Sequence, residues 1–491
     1  MSTITKSDIP PEVKNVAETL EKAGYEAYLV GGCVRDLLVG KSPKDWDITT
    51  NAKPETIVSL FEDTFQNNDF GTVGVVNKTD DQSLKIIEVT PYRIESAYSD
   101  ARRPDTVSFS TSLEEDLKRR DFTINAIAYS ISRETLVDLF EGALDIKEKR
   151  IRAVGNPVER FAEDALRMVR AVRLAVELDF VIESETMNAI AENANNLSRI
   201  SKERIRDEFI RILNSDSPMR GILLCEKLGL LQYIAPELLR GIGVEQNQAH
   251  AFHVYEHLLR TLQHAADKKW PFHVRLAALF HDVAKPETRR WSKEKNNWTF
   301  YGHEVVGSRV TRKALTALKF PRETVDLVSN LVRWHMFFSD PDTVTLSAVR
   351  RTIQNVGKEH IEELLNLRIC DRVGTGRPKE QPFRFRKYKA MVEEALRDPI
   401  SVKMLKINGE RIMEVARETP GPKIGYALHA LLEEVLDDPQ KNTPEYLETH
   451  AIEFMNMSEK ALKGLGEQGR EKRAEEEASA VHAIQKKHHV A

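Results

Sequence analysis

Two sets of polar residues in this sequence have the types and spacing for metal-assisted chemistry on phosphates. The first is Asp45-Trp46-Asp47, because alternate residues of an extended strand point to one face and bring two carboxylates to one spot. Such groups repel one another unless a cation lies between them. Magnesium takes hard oxygen ligands and keeps positions open for substrate phosphates. Two such ions would stabilise the attacking oxygen and the leaving group together. Glu88, flanked by apolar residues in Lys85-Ile86-Ile87-Glu88-Val89, is the candidate third carboxylate; a strand-edge salt bridge is the competing reading. Upstream, Gly31-Gly32 allows close approach of a phosphate at the start of a helix, and Arg35 one turn on can donate to the same phosphates. The second set is His257, His281-Asp282, His303, His335 and Asp371. Imidazoles with carboxylates are the ligand set of a divalent transition metal, whose identity the residues leave open. His250, His253 and Lys285 lie nearby without an assigned role.

These residues need elements to hold them. Apolar spacing predicts a helix over 12–24 ending at Gly24 and a strand over 26–30 running into Gly31-Gly32. A helix over 33–39, a strand around Asp45–Thr49, a helix over 54–65 and strands around 72–77 and 84–90 complete a small mixed sheet. The polar segment Tyr92–Asp105 reads as a mobile loop. From Val158 the pattern is helical to about residue 235, and a histidine-studded helical region follows from about 248 to 375. Residues 375–382, with Gly and two prolines, read as a linker, and the last hundred residues as further helices. The charged end, KRAEEEASAVHAIQKKHHVA, is a solvated helix that frays.

The ordered runs GGCVRDLLVG, DWDIT, EVTPYR, RRDFTINAIAY and FAEDALRMVRAVRLAVEL closely resemble the bacterial tRNA nucleotidyltransferase and poly(A) polymerase family, the class II CCA-adding enzymes. The resemblance implies an α+β fold: a small mixed-sheet nucleotidyltransferase head followed by an all-α neck, an HD domain and a C-terminal helical tail. It implies that Arg119-Arg120-Asp121, with Asn125 beside them, select ribose, and that Asp164 and Arg167 read the incoming base. Three apart, those two would share a helix face, an acceptor beside a planar donor fork. Arg170 and Arg173 would continue the stripe towards triphosphate or primer phosphates; a solvated charged face is the competing reading. FQNNDFGTVGVVNK lacks the basic stretch of the poly(A) polymerases, and ESAYSDARRPD resembles the mobile element with which CCA-adding enzymes change from C to A. The expected reaction is template-independent addition of CCA to the 3′ end of tRNA from CTP and ATP, with Mg2+ in the head. The alternatives are A-adding or poly(A) synthesis, or a phosphohydrolase with an RNA-binding relict head.

The order H…HD…H…H…D resembles the HD phosphohydrolases in the version with ligands for two metals; a scaffold that only positions RNA is the other reading. The basic stretches RISKERIRDEFIR (199–211) and RPKEQPFRFRKYK (377–389) would meet RNA phosphates, with Phe383, Phe385 and Tyr388 stacking on bases. Residues 406–447 resemble the family's tRNA-binding tail, with the turn Pro420-Gly421-Pro422-Lys423-Ile424-Gly425 suited to a phosphate. The expected domains are 1–150 (head), 151–240 (neck), 241–375 (HD) and 376–491 (tail).

At 491 residues, 41% hydrophobic and 30% charged, the chain is long enough for about three to four domains and too apolar to be disordered. A net charge of −4 neither favours nor excludes nucleic acid, so any RNA surface must be a local patch. Cys33, Cys225 and Cys370 lack CxxC spacing and read as buried thiols of a reducing compartment. With no leader and no apolar run of membrane-spanning length, a cytoplasmic location is expected, and the oligomeric state is open.

Overall fold

The computed structural model describes residues 3–66, 71–95, 107–247, 251–337, 344–396, 405–465 and 486–489. It forms two compact units: Met1–His335 with Asn366–Pro378, and Met336–Leu365 with Lys379–Ala491.

The first unit begins with the helix Pro11–Lys22, stopped before Gly24 (φ +89°). The strands follow in chain order: β1 Ala27–Val30, β2 Trp46–Thr50, β3 Thr64–Gln66, β4 Val73–Val76, β5 Ile86–Pro91, β6 Arg93–Glu95, β7 Val107–Phe109, β8 Ile127–Ser130 and β9 Thr135–Asp138. Seven of them make one sheet in the order β3-β4-β5-β2-β1-β8-β9. Only β2 and β5 run parallel; the other neighbours are antiparallel. The expected α+β class and mixed sheet are therefore observed. Leu29, Ile48, Ile87 and Val89 are fully buried, which makes the centre of the sheet the core of the head.

Several elements differ from expectation. The helix expected over 54–65 is Pro54–Leu60, and 64–66 is an edge strand. The segment read as a loop from Tyr92 begins as β6, paired with β7. Residues 96–106, which hold most of ESAYSDARRPD, lie outside the described residues, as do 67–70 of FQNNDFGTVGVVNK, His250 and 466–485 of the tail. β8 and β9 were not anticipated: RRDFTINAIAY carries chemistry and strand in one stretch.

The neck is helical, and its central helix Leu166–Leu178 is preceded by an interruption at Asp164, whose φ/ψ of −142°/103° is extended. Farther on, Val254–Asp267, Phe272–Phe280, His303–Ala317 and Arg322–Trp334 are the helices of the histidine region. That region is not wholly helical: Arg290–Ser292 and Asn297–Thr299 form an antiparallel hairpin. Asn296 takes φ +45° in its turn, and Trp291 faces Trp298 across the ladder, a pair that favours strand pairing.

In the second unit, Leu346–Val356 packs on Phe383–Leu396, and a separate apolar core gathers Ile412, Leu431, Leu447 and Ala451. No helix among the described residues is long and apolar enough to cross a membrane. The three cysteines are buried and form no disulfide among the described residues. Burial pushes the Cys33 and Cys225 thiols up to about 12.

Candidate active sites: a carboxylate edge and a histidine-aspartate cluster

The parallel pairing of β2 and β5 sets Asp47 directly beside Glu88. Lateral neighbours in a ladder carry their side chains on one face, so the pairing delivers the third carboxylate to the first two. Asp45 stands one residue before β2 and is exposed, whereas Asp47 is partly buried. Burial first, then Glu88 and Asp45, push the Asp47 carboxyl up to about 7; Arg120 opposes them. Three acids gathered in this way form a site that attracts a cation, and their hard oxygens fit magnesium.

Gly31, at φ +78°, closes β1 and starts the helix Gly32–Val39. A Cβ there would lie 3.6 Å from Asp47 Oδ2 and 3.3 Å from Arg120, so the glycine is what lets the turn sit beside the acids. Arg35 is only 13% exposed at its side chain and already engaged: Nε and Nη2 donate to Asp36, and Nη1 donates to Asn125 Oδ1 at 2.7 Å. Asn125 donates to Asp121 at 3.3 Å, and Asp121 pairs with Arg170 at 2.8 Å. Burial would raise the Asp121 carboxyl, but Arg170 and Arg167 outweigh it and hold it below its usual value. One polar chain thus runs from the glycine helix to the neck helix.

Arg119 and Arg120 both bind Asp116, which is fully buried and which sequence reasoning missed. The signal was available: an acid three and four residues before two arginines on the helix Leu113–Lys118. Burial alone would raise the Asp116 carboxyl, but the two guanidiniums win and lower it.

Asp164 and Arg167 do not share a helix face. The break at Asp164 turns its carboxylate to the Leu166 backbone N–H (3.1 Å) and to Arg204 (2.7 Å). Arg167 instead binds Glu163 and donates to the carbonyls of Arg160 and Arg119. Arg204 and Glu163 are the partners that sequence reasoning missed; Glu163 stands four residues before Arg167, a spacing that offered the pair, whereas Arg204 lies forty residues from Asp164. Arg173 is 5% exposed and bridges to Glu208 (3.1 Å) and Glu177 (3.7 Å), an ion pair within the helical neck. In the second unit, Phe385 and Tyr388 are buried and Tyr388 stacks on Phe337, so the expected stacking on bases is open only to Phe383, which is 51% exposed. Lys423 donates to the Met455 carbonyl.

The histidine set converges as expected. His257, His281, Asp282 and Asp371 bring one donor atom each to a common point, and Asp282, His303 and His335 do so beside it. Asp282 joins the two. Its Oδ2 lies 3.1 Å from His257 Nε2 and 3.2 Å from His281 Nε2, and its Oδ1 3.1 Å from His303 Nε2 and 3.6 Å from His335 Nε2. His281 and His335 close their helices, and their Nδ1 atoms donate to the carbonyls of Ala278 (2.9 Å) and Val332 (2.7 Å); His303 donates to Phe300 (2.6 Å). Last-turn carbonyls lack helical partners. Satisfying them this way fixes the tautomer and leaves each Nε2 lone pair for an ion. Burial pushes His335 down to about 4, which keeps that lone pair. Burial also acts on His281, but Asp282 and Asp371 outweigh it and push the imidazole up to about 10, a place that attracts positive charge. Burial would raise Asp282, yet His281 and Lys285 hold it well below the carboxylate range. Lys285, itself buried, reaches Asp282 Oδ2 at 2.6 Å and Gln246 at 2.7 Å.

These features define a protein with a poly(A) polymerase-type head and an HD domain. The family model of the poly A polymerase head domain matches residues 27–152, "Probable RNA and SrmB- binding site of polymerase A" matches 179–241, and the HD domain matches 254–375. The CCA-adding enzyme of Geobacillus stearothermophilus is 32% identical over 455 residues, covering 92% of this chain and 99% of its own. The chain belongs to the family of CCA-adding enzymes. The CCA-adding enzyme of Levilactobacillus brevis is 48% identical over 219 residues, 44% of this chain and 54% of that enzyme, so the chain spans about half the length of that relative. Among solved structures, the Bacillus stearothermophilus CCA-adding enzyme in complex with CTP is similar at a TM-score of 0.55 and 28% identity, over 91% of this chain and 98% of that one. The Thermotoga maritima CCA-adding enzyme complexed with tRNA shares the fold at a TM-score of 0.51 and 20% identity, over 90% and 96%.

Proposed function

We propose that the chain adds CCA to the 3′ end of tRNA from CTP and ATP, with Asp45, Asp47 and Glu88 as the magnesium-binding carboxylates. The observation that carries this reading is the β2–β5 register, which places Asp47 against Glu88; burial first, then Glu88, raises the Asp47 carboxyl to about 7. Bound there, divalent ions would neutralise the acids, acidify the 3′-hydroxyl and balance the charge of the leaving pyrophosphate. The chain's own residues do the rest. Gly31 and Gly32 keep the backbone low beside the triphosphate, and the N–H groups at the start of Gly32–Val39 face it. Arg35 and Asn125, with Asp121 behind them, hold the ribose and its phosphates through the polar chain that ends at Arg170. Arg119 and Arg120, fixed by Asp116, present cations to the substrate side of the acids. Asp164 and Arg167, each oriented by a different partner, offer acceptor and donor to the base edge. Arg173 serves the same neck by holding its helices through Glu208.

Incubation with tRNA lacking its CCA end, magnesium, and CTP and ATP separately or together tests the reading. CTP followed by ATP should restore one CCA, and a homopolymer from ATP alone would sink it. Asp45→Ala is expected to abolish addition while sparing the histidine-aspartate centre.

That centre is proposed to be a metal-dependent phosphohydrolase. His257, His281, His303, His335, Asp282 and Asp371 hold the metals, and Asp282 links the two halves of the cluster. His281→Ala or Asp282→Ala should remove phosphoesterase activity and leave nucleotide addition; loss of both would contradict separate sites.

A further inference from the structure

Between Asp282 and His303 the chain makes a two-stranded excursion that the metal cluster does not need. The run 289–301 (RRWSKEKNNWTFY) holds four cations against one acid, Glu294, with four aromatics among them. Two of its four rings are on the outside: Trp291 is 50% exposed and Tyr301 is 74% exposed, whereas Phe300 is buried. They do not lie loose. Trp291 meets Trp298 edge to face at 5.1 Å, and the Arg289 guanidinium carbon lies 3.6 Å from the centre of the Trp298 ring. Lys295 reaches the Tyr301 hydroxyl at 2.7 Å. The two exposed rings add little to the core, and rings held among cations match what a flexible anionic chain of bases offers.

The C-terminal end of the excursion is tied to the cluster. Lys285, which binds Asp282, lies 5.5 Å from the Phe300 ring, and the Phe300 carbonyl takes the Nδ1–H of His303. Tyr301 is two residues from that histidine, separated by Gly302 in the left-handed region.

We propose that the hairpin Arg290–Ser292/Asn297–Thr299 is a stacking platform that holds the single-stranded end of an RNA and hands its terminal phosphate to the histidine-aspartate cluster. The proposal rests on the phosphohydrolase reading of that cluster and gives it a substrate class: an RNA terminus, not a free nucleotide. Exposed bases stack on Trp291 and Tyr301, while Arg290 and Lys293 meet the backbone phosphates.

The full chain, supplied with manganese or nickel, is compared on a short single-stranded RNA ending in a 2′,3′-cyclic phosphate and on 2′,3′-cyclic CMP. In the double variant Trp291→Ala/Tyr301→Ala the ratio of kcat/KM for RNA over mononucleotide should fall at least about tenfold, through KM. Trp291→Phe/Tyr301→Phe should recover most of it. An unchanged ratio in the alanine variant overturns the platform. If the parent hydrolyses neither substrate, the phosphohydrolase reading fails by itself, and the platform is decided by photocrosslinking of 4-thiouridine RNA. Crosslinks within 289–301, lost in the alanine variant, support it, and their absence from that peptide overturns it.

Discussion

Asp47 shows how a single residue can be legible in type and illegible in state. Its folded carboxyl stands at about 7, above the ordinary value of 3.8, so the folded chain holds that proton through the window between them. Without metal, stability therefore falls as pH rises from about 4 to about 7. Asp47→Asn removes the charge. In EDTA it should be more stable than the parent by about 1–2 kcal/mol at pH 8, with the difference closing near pH 4. Thermal unfolding at the two pH values checks this, and a constant difference would count against it. Asp116 makes the opposite case: its charge is held by Arg119 and Arg120. Asp116→Ala should cost about 3 kcal/mol by denaturant unfolding, because two guanidiniums lose a buried partner, and it should lower nucleotide addition by misplacing both arginines.

At the scale of elements, close approach sets the limits. A Cβ at Gly374, on the helix Ile361–Gly374 that carries Asp371, would stand 2.1 Å from Thr261 Oγ1 and 3.2 Å from His257 Nδ1. Thr261 is fully buried and bonded to the His257 carbonyl, so it has nowhere to go. Gly374→Ala is expected to destabilise by about 1–3 kcal/mol and to lower metal content of the cluster, while transfer persists. Calorimetry and metal analysis on one preparation measure both. Gly142→Ala, whose Cβ would meet the Thr123 carbonyl at 2.2 Å, should disturb instead the segment that carries Asn125 and so reduce nucleotide addition with the cluster's metal retained.

For the whole molecule, the two centres differ in ligand chemistry, hard carboxylates in one and imidazoles in the other. Chelation should silence both. Magnesium alone is then expected to restore transfer, and a transition metal to be needed for hydrolysis. Recovery of both with magnesium would contradict that division.

The sequence by itself determined the reaction family, the acids and the order of the histidines. Those are chemical identities at short spacing, and apolar periodicity marked β1, β2 and β5 and most of the helices. It also marked 375–382 as non-helical, and the helix Ile361–Gly374 ends there. Only the tertiary structure decided which acids meet cations far along the chain, as Asp121 meets Arg170 and Glu208 meets Arg173. At the helix break, the Asp164 carboxylate meets Arg204, forty residues away. Strand β8 lies within RRDFTINAIAY and is fixed by pairing with β1 and β9. The burial of Phe385, Tyr388 and Arg173 follows from packing against distant partners. Local residues set what each segment can form, but partners far along the chain set which groups are exposed, and exposure decides what is left to meet a substrate.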